Sequence, residues 1–242
     1  MNNTSPDKPT IVLVHGAFAD SSSWNGVVER LQWDGYQVIA AANPLRGLAD
    51  DAAYVRSVLD SLDAPVVLVG HSYGGAVISQ AAVGSPNVKA LVYIAAFIPA
   101  AGESALELSN RFPGSTLGPT LDDVAFPLPG GGTGTDLYIK TDAFHAQFAA
   151  DVPEPVASLM AATQRPVAAS ALEENATEAA WTTIPSWNPV TTEDKNIPPA
   201  SQLFMAKRAD AHTVEIEASH AVAVSQPGAV ARLIRQAARA TR

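Results

Sequence analysis

Ser72 sits in Val69-Gly-His-Ser-Tyr-Gly-Gly75, with glycines two residues before and two after it. Val66 to Val69 precede it with the length and β-branched content of a strand buried on both faces, and Gly75 to Gly84 continues at helical spacing. The serine is therefore expected at a strand-to-helix corner, in a strained backbone conformation, with Gly70 and Gly74 leaving room for neighbouring backbone. In that setting G-x-S-x-G is a nucleophile elbow. A serine hydroxyl is a poor nucleophile at neutral pH, so it needs a base for its proton, a carboxylate to orient the base, and donors for an oxyanion.

The elements that must position those groups follow the same alternation. Thr10 to His15 reads as a strand ending on a Gly16-Ala17-Phe18 turn, Ser21 to Ser23 as caps for a helix carrying Trp24, Val27, Val28 and Leu31, and Gln37 to Ala41 as a second strand. Asp50 to Asp63 is an amphipathic helix with Tyr54, Val55, Val58, Leu59 and Leu62 on its buried side, and Val88 to Ile94 is the strand after the elbow. From Ala100 to Ile184 the rhythm breaks into Pro and Gly clusters, with a small hairpin over Val124–Leu128 and Leu137–Ile139 and a helix from Val156. It resumes with a strand over Pro185–Thr192, a helix over Gln202–Ala209, a strand over Thr213–Glu217 and a helix opened by Pro227. The pattern predicts an α/β fold: a doubly wound, mainly parallel six-stranded sheet formed by residues 1–99 and 185–242, with 100–184 as an inserted cap. If its strands are ordered 2-1-3-4-5-6, the loops after the first and third strands meet where the order reverses, and the pocket is expected there.

In such a sheet ligands sit at the C-terminal edge, so the partners of Ser72 must follow strands. His220 leaves the last strand at that edge. His212 precedes it, His71 is locked inside the elbow, His145 is in the cap, and His15 is expected to shape its own turn by hydrogen bonding. Asp194 follows a strand and comes 26 positions before His220; Asp210 precedes a strand and Glu103 opens the cap. The catalytic set is then Ser72, Asp194 and His220. The oxyanion donors are the amide of Tyr73 and that of Ala17, with Phe18 as the alternative to Ala17. Phe18, Tyr73, Phe97 and Val222 lie just past strand ends or past His220 and form an apolar substrate site, unless Phe97 and Val222 are simply core.

Composition narrows the partner. The chain has 242 residues, 47% of them hydrophobic, a net charge of −9, 15 Lys and Arg with none in a run, and no cysteine. That is enough for one large core, and it argues against a nucleic-acid or anionic-membrane surface and excludes disulfides and thiolate metal sites. No His or carboxylate cluster has metal spacing and no dinucleotide fingerprint is present, so neither a metal nor a cofactor is expected. The polar start, Met1 to Thr10, lacks the apolar core of a signal peptide, which gives a cytoplasmic protein acting on a small molecule as the expectation.

Val-Leu-Val-His-Gly-Ala-Phe, Val-Gly-His-Ser-Tyr-Gly-Gly, Thr-Glu-Asp-Lys-Asn-Ile-Pro-Pro and Ser-His-Ala-Val resemble the α/β-hydrolase superfamily, in the compact branch that holds plant methylesterases and hydroxynitrile lyases, and bacterial serine esterases. The chain order Ser72, Asp194, His220 is that of these hydrolases. The resemblance implies a serine hydrolase cleaving small to medium neutral esters through an acyl-enzyme. Hydroxynitrile lyases of this branch carry a lysine just after the catalytic histidine; here Ala221 stands there, which disfavours cyanohydrin cleavage. Cofactor-free perhydrolysis, carbon-carbon hydrolysis or a lyase reaction on the same residues is the alternative, and a non-catalytic small-molecule receptor is a third class.

Overall fold

A computed structural model describes residues 8–241; the polar start that carries the expectation about a leader falls mostly outside them. The chain alternates through β1 (Thr10–Val14), α1 (Asn25–Trp33), β2 (Val38–Ala41), α2 (Leu48–Asp60), β3 (Val66–His71), α3 (Tyr73–Ala81) and β4 (Val88–Ile94). A long excursion follows: α4 (Ala105–Asn110), β5 (Leu121–Pro127), β6 (Thr133–Ile139), α5 (Thr141–Phe148), α6 (Glu154–Thr163), β7 (Val167–Ala168) and α7 (Ala169–Glu173). The alternation returns with β8 (Ser186–Thr191), α8 (Pro199–Arg208), β9 (His212–Ile216), α9 (Val222–Ser225) and α10 (Pro227–Ala240).

Six strands form one sheet in the order β2-β1-β3-β4-β8-β9, and every pairing in it is parallel. Side chains alternate across it. Ile11, Leu13, Val67, Val69 and Val92 pack on one face with Trp24, Leu31, Val230 and Ile234, while Val12, Val14, Leu68 and Leu91 pack on the other with Leu48, Val55, Val77 and Ile78. Both faces are covered, which is why β1 and β3 are unbroken apolar runs instead of alternating ones.

One local expectation changes. The helix α2 begins at Leu48 and buries Leu48, Asp51, Ala52, Val55 and Leu59, whereas Tyr54 is 45% exposed. A stripe through 48, 52, 55 and 59 follows the 3.6-residue period, and Tyr54 lies one residue to its side. Pro189 is accommodated because β8 pairs with β4 only through Ser186 and Trp187, so the proline stands where the two strands have already parted. The same divergence opens the sheet's C-terminal edge beside β4.

The excursion between β4 and β8, the segment expected as a cap, forms a three-stranded sheet of its own, β5-β6-β7. Its hairpin pairs Leu121–Pro127 with Thr133–Ile139 antiparallel, longer than the sequence pattern suggested, and β7 adds to β6. Polar contacts fasten the cap to the core. Arg46 pairs with Asp136 at 2.8 Å, the Ala168 amide donates to the Leu45 carbonyl at 2.9 Å, and Arg208 grips both oxygens of Glu103 at 2.7 Å. Gly47 offers no side chain to cap α2, and the Glu174 carboxylate takes that role by accepting from the Leu48 and Ala49 amides at 2.6 and 3.2 Å. An acceptor at a helix N-terminus stabilises by about 1 kcal/mol. Glu174→Ala should therefore lower the melting temperature by about 2–4 °C, and a thermal denaturation curve with no shift would remove this latch from the account.

Candidate active site

The chain reverses direction at Ser72, whose φ of 52° and ψ of −123° lie outside the regions open to ordinary L-residues. Such a residue costs on the order of 1–3 kcal/mol and persists only when its surroundings fix it. Here the Ser72 amide donates to the Ile94 carbonyl at 3.2 Å, and its carbonyl accepts from Gly75 and Phe97 at 2.9 and 3.1 Å. A Cβ on Gly70 would stand 2.5 Å from the Gly74 carbonyl oxygen, and one on Gly74 would stand 2.5 Å from the Val14 carbonyl oxygen. The glycines are thus needed for backbone to cross backbone beneath the serine.

Asp194 and His220 meet at the same edge of the sheet, 2.8 Å apart between Oδ2 and Nδ1. The Asp194 side chain is fully enclosed. Its Oδ1 accepts from the Asn196 and Ile197 amides at 2.8 and 2.9 Å, and its Oδ2 accepts from Thr191 Oγ1 and Gln202 Nε2, each at 3.0 Å. The carboxylate accepts a hydrogen bond from His220 Nδ1–H, which leaves Nε2 of that ring as the acceptor. Thr191 and Gln202 escaped the sequence reading. The available signal was Gln202, a polar residue on the buried face of α8 beside Met205 and Ala206.

His71, set aside as locked in the elbow, connects the two halves of the site. Its Nε2–H donates to the His220 carbonyl at 2.9 Å, and its ring lies 4.7 Å from that of His220, between Trp24 and Phe148. Burial, reinforced by the neighbouring His220, lowers its pKa to about 3. Ser72 Oγ makes no hydrogen bond among the described residues; a serine–imidazole contact of this kind often tightens only with substrate present. His15 behaves as its motif suggested: Nδ1–H donates to the Gly16 carbonyl at 2.9 Å, Nε2 accepts from the Asn43 amide at 3.0 Å, and burial lowers its pKa, so it holds the loop after β1 as a neutral ring. His145 bonds to the Val152 carbonyl in the cap and His212 stacks on Trp187 at the start of β9, so neither reaches the site.

Of the three amides considered for an oxyanion, Phe18 is taken. At φ 60° its N–H donates to the Arg165 carbonyl of the cap at 3.0 Å. The amides of Ala17 and Tyr73 have no partner among the described residues, although both residues are buried. Unpaired buried amides are rare and call for an occupant. Tyr73 is the first residue of α3, where the helix dipole adds to its amide, and its phenol donates to the buried Asp51 carboxylate at 2.8 Å.

Ala17, Phe18, Ser72, Tyr73 and Phe97 line one side of a cavity of about 140 Å³. Val222, expected on its wall, is instead fully buried in the core on the other face of the sheet. The chain turns into α9 directly after His220, and that turn carries Val222 away from the serine. The far wall comes from residues that no sequence pattern could place: Leu106, Leu117, Leu137 and Leu172 of the cap, and Ile197. No charged side chain lines it. A larger groove of about 340 Å³ lies on the other side of Phe18, against α6, but does not reach Ser72. Among the described residues no group of three or more His, Asp or Glu side chains could hold a metal ion, and no helix is long and apolar enough to cross a membrane.

The model of the alpha/beta hydrolase family matches residues 11–233. An alpha/beta hydrolase of Aspergillus novofumigatus, nvfD, is 29% identical over 253 residues, covering 96% of this chain and 97% of its own. A carbendazim-hydrolysing esterase of Nocardioides is 33% identical over 112 residues, 40% of this chain and 46% of its own. Among solved structures, polyneuridine aldehyde esterase superposes with a TM-score of 0.82 at 20% identity, covering 95% of this chain and 98% of its own.

The depressed pKa of His71 carries a stability cost in acid. Between about 3 and 6.5 the unfolded chain binds a proton that the folded protein refuses. Stability is therefore lost as pH falls through that window, by about 1.4 kcal/mol per unit and so about 2 kcal/mol between pH 7 and 5. His71→Gln keeps a donor for the His220 carbonyl and has nothing to titrate. Urea unfolding at pH 7 and pH 5 should show the variant losing about 2 kcal/mol less than the wild type across that interval; equal losses would mean that His71 titrates normally.

Proposed function

The chain belongs to the alpha/beta hydrolase family, and from that membership we propose that it is a serine esterase acting on small to medium neutral carboxylic esters through an acyl-enzyme. The observation that carries this reading is the Asp194–His220 hydrogen bond of 2.8 Å, set at the same sheet edge as the strained Ser72 corner. The likeness to a carbendazim-hydrolysing esterase supports the chemistry, and the superposition on polyneuridine aldehyde esterase supports the fold that carries it. The same proposal takes 1–99 and 185–242 as the core, 100–184 as the cap, and the cytoplasm as the place of action.

In this mechanism His220 Nε2 takes the proton of Ser72 Oγ as the oxygen attacks the ester carbonyl. Negative charge on the carbonyl oxygen is received by the amides of Ala17 and Tyr73. Asp194 holds the imidazole with Nδ1 protonated and stabilises the imidazolium, which then protonates the departing alkoxide. Water, deprotonated by His220, releases the acid from Ser72. The neutral lining fits an uncharged substrate.

Ser72→Ala and Asp194→Asn should each lower kcat by about 10⁴, the second by favouring the wrong histidine tautomer, while Asp210→Asn changes little. Turnover of p-nitrophenyl acetate by the purified variants tests this, and a fully active Ser72→Ala would end the proposal. Binding without a burst of p-nitrophenol would favour the receptor class. Across p-nitrophenyl esters from acetate to laurate, kcat/KM should rise roughly fourfold per added carbon and then fall once the cavity is filled, since each buried methylene gains about 0.8 kcal/mol. A flat profile, or preference for an anionic acyl group, would overturn the assignment of the cavity.

A further inference from the structure

Away from Ser72 and the two unpaired amides the cavity wall is mainly apolar, with polar side chains at Ser109, Asn110, Ser115 and Asn196. Asn110 is exposed, whereas Asn196 is only 3% exposed and is the buried carboxamide of the four. The orientation of its carboxamide is fixed by a chain of hydrogen bonds that starts in the cap. The Lys195 carbonyl can only accept, so Gln147 presents its NH₂ to it, at 3.0 Å. The same Nε2 donates to Asn196 Oδ1 at 2.7 Å, and Gln147 Oε1 accepts from Thr116 Oγ1 at 2.8 Å. Reversing either amide would set donor against donor or acceptor against acceptor.

With its oxygen committed to Gln147, Asn196 is left with an Nδ2 that has no partner among the described residues. That nitrogen is also absent from the polar atoms sealed away from all space, among which are Trp24 Nε1 and both amide atoms of Asn188. Asn196 is otherwise enclosed and lines the cavity, so the cavity is the space we infer this nitrogen to face. The Asn196 backbone is held as well, since its N–H donates to Asp194 Oδ1 at 2.8 Å.

We propose that Asn196 is a specificity-determining residue whose Nδ2 donates to an uncharged oxygen acceptor on the bound molecule, so that the preferred ligands are neutral chains carrying an ether, keto or hydroxyl oxygen apart from the reacting carbonyl. The assignment of such molecules as esters rests on the esterase reading above; the selectivity of the cavity does not. A cavity with purely apolar walls would strip the oxygen of water and return nothing, so it would disfavour an ether against an isosteric alkane by about tenfold or more. A donor already in place removes that penalty.

The pair heptan-2-one and 5-methoxypentan-2-one differs by exchange of one methylene for oxygen, and neither is an ester. Calorimetric titration of the wild-type protein should find the methoxy ketone bound at least as tightly as the alkyl ketone. In Asn196→Leu the preference should turn to the alkyl ketone by about tenfold. A wild type that already disfavours the methoxy ketone tenfold overturns the proposal, and this result is available even if the variant does not fold. A preference unchanged in folded Asn196→Leu overturns it equally. A protein that binds the pair as expected yet cleaves no ester would refute the esterase reading and leave this selectivity standing.

Discussion

The backbone at Ser72 is the constraint to which the rest of the site conforms. A residue at φ 52° and ψ −123° is unstable in isolation and must be held from several sides. Gly75 and Phe97 hold its carbonyl and Ile94 its amide, so β4, the loop after it and α3 all act on this one residue. The loop after β1 closes over the result. A Cβ on Gly16 would stand 2.6 Å from Ser72 Cβ, a separation only glycine permits. That contact brings Ala17 beside Ser72 and leaves its amide without a protein partner. One strained corner thus sets the place of the hydroxyl and of the two unpaired amides.

Around the corner, polarity is arranged through fully bonded groups. Asp194 is removed from water and would be costly there without donors; two backbone amides, Thr191, Gln202 and His220 supply them. His71 stays neutral in the same enclosure and uses its one N–H to fix the backbone of His220. Three histidines therefore serve three ends within one small volume. His15 shapes a loop, His71 positions a backbone, and His220 has the ring whose Nε2 remains open.

The segment proposed as a cap does more than line the cavity beside Ser72. Its Arg165 carbonyl engages the Phe18 amide, its Glu174 completes the N-terminus of α2, and its Gln147 turns the amide of Asn196. Cap and core are joined by groups that would each be left unsatisfied if they separated. The shape and polarity of the cavity consequently depend on both.

The sequence by itself determined the elements with strong periodicity and the residues that chemistry ties to them. Unbroken apolar strands, the Gly-x-Ser-x-Gly corner and the rule that functional groups follow strands were enough to give the mainly parallel six-stranded sheet and to bring forward Asp194 and His220. These follow because strand burial and chain direction are local properties that fix which edge a loop occupies. Only the tertiary structure decided what depends on contacts between distant segments. Phe18 loses its amide to Arg165, Val222 turns into the far core, Gln202 and Thr191 reach Asp194, and Gln147 fixes Asn196 from 49 positions away. A hydrogen bond depends on where two groups lie in space to within a fraction of an ångström, and no spacing within one segment records where another segment will place its donor.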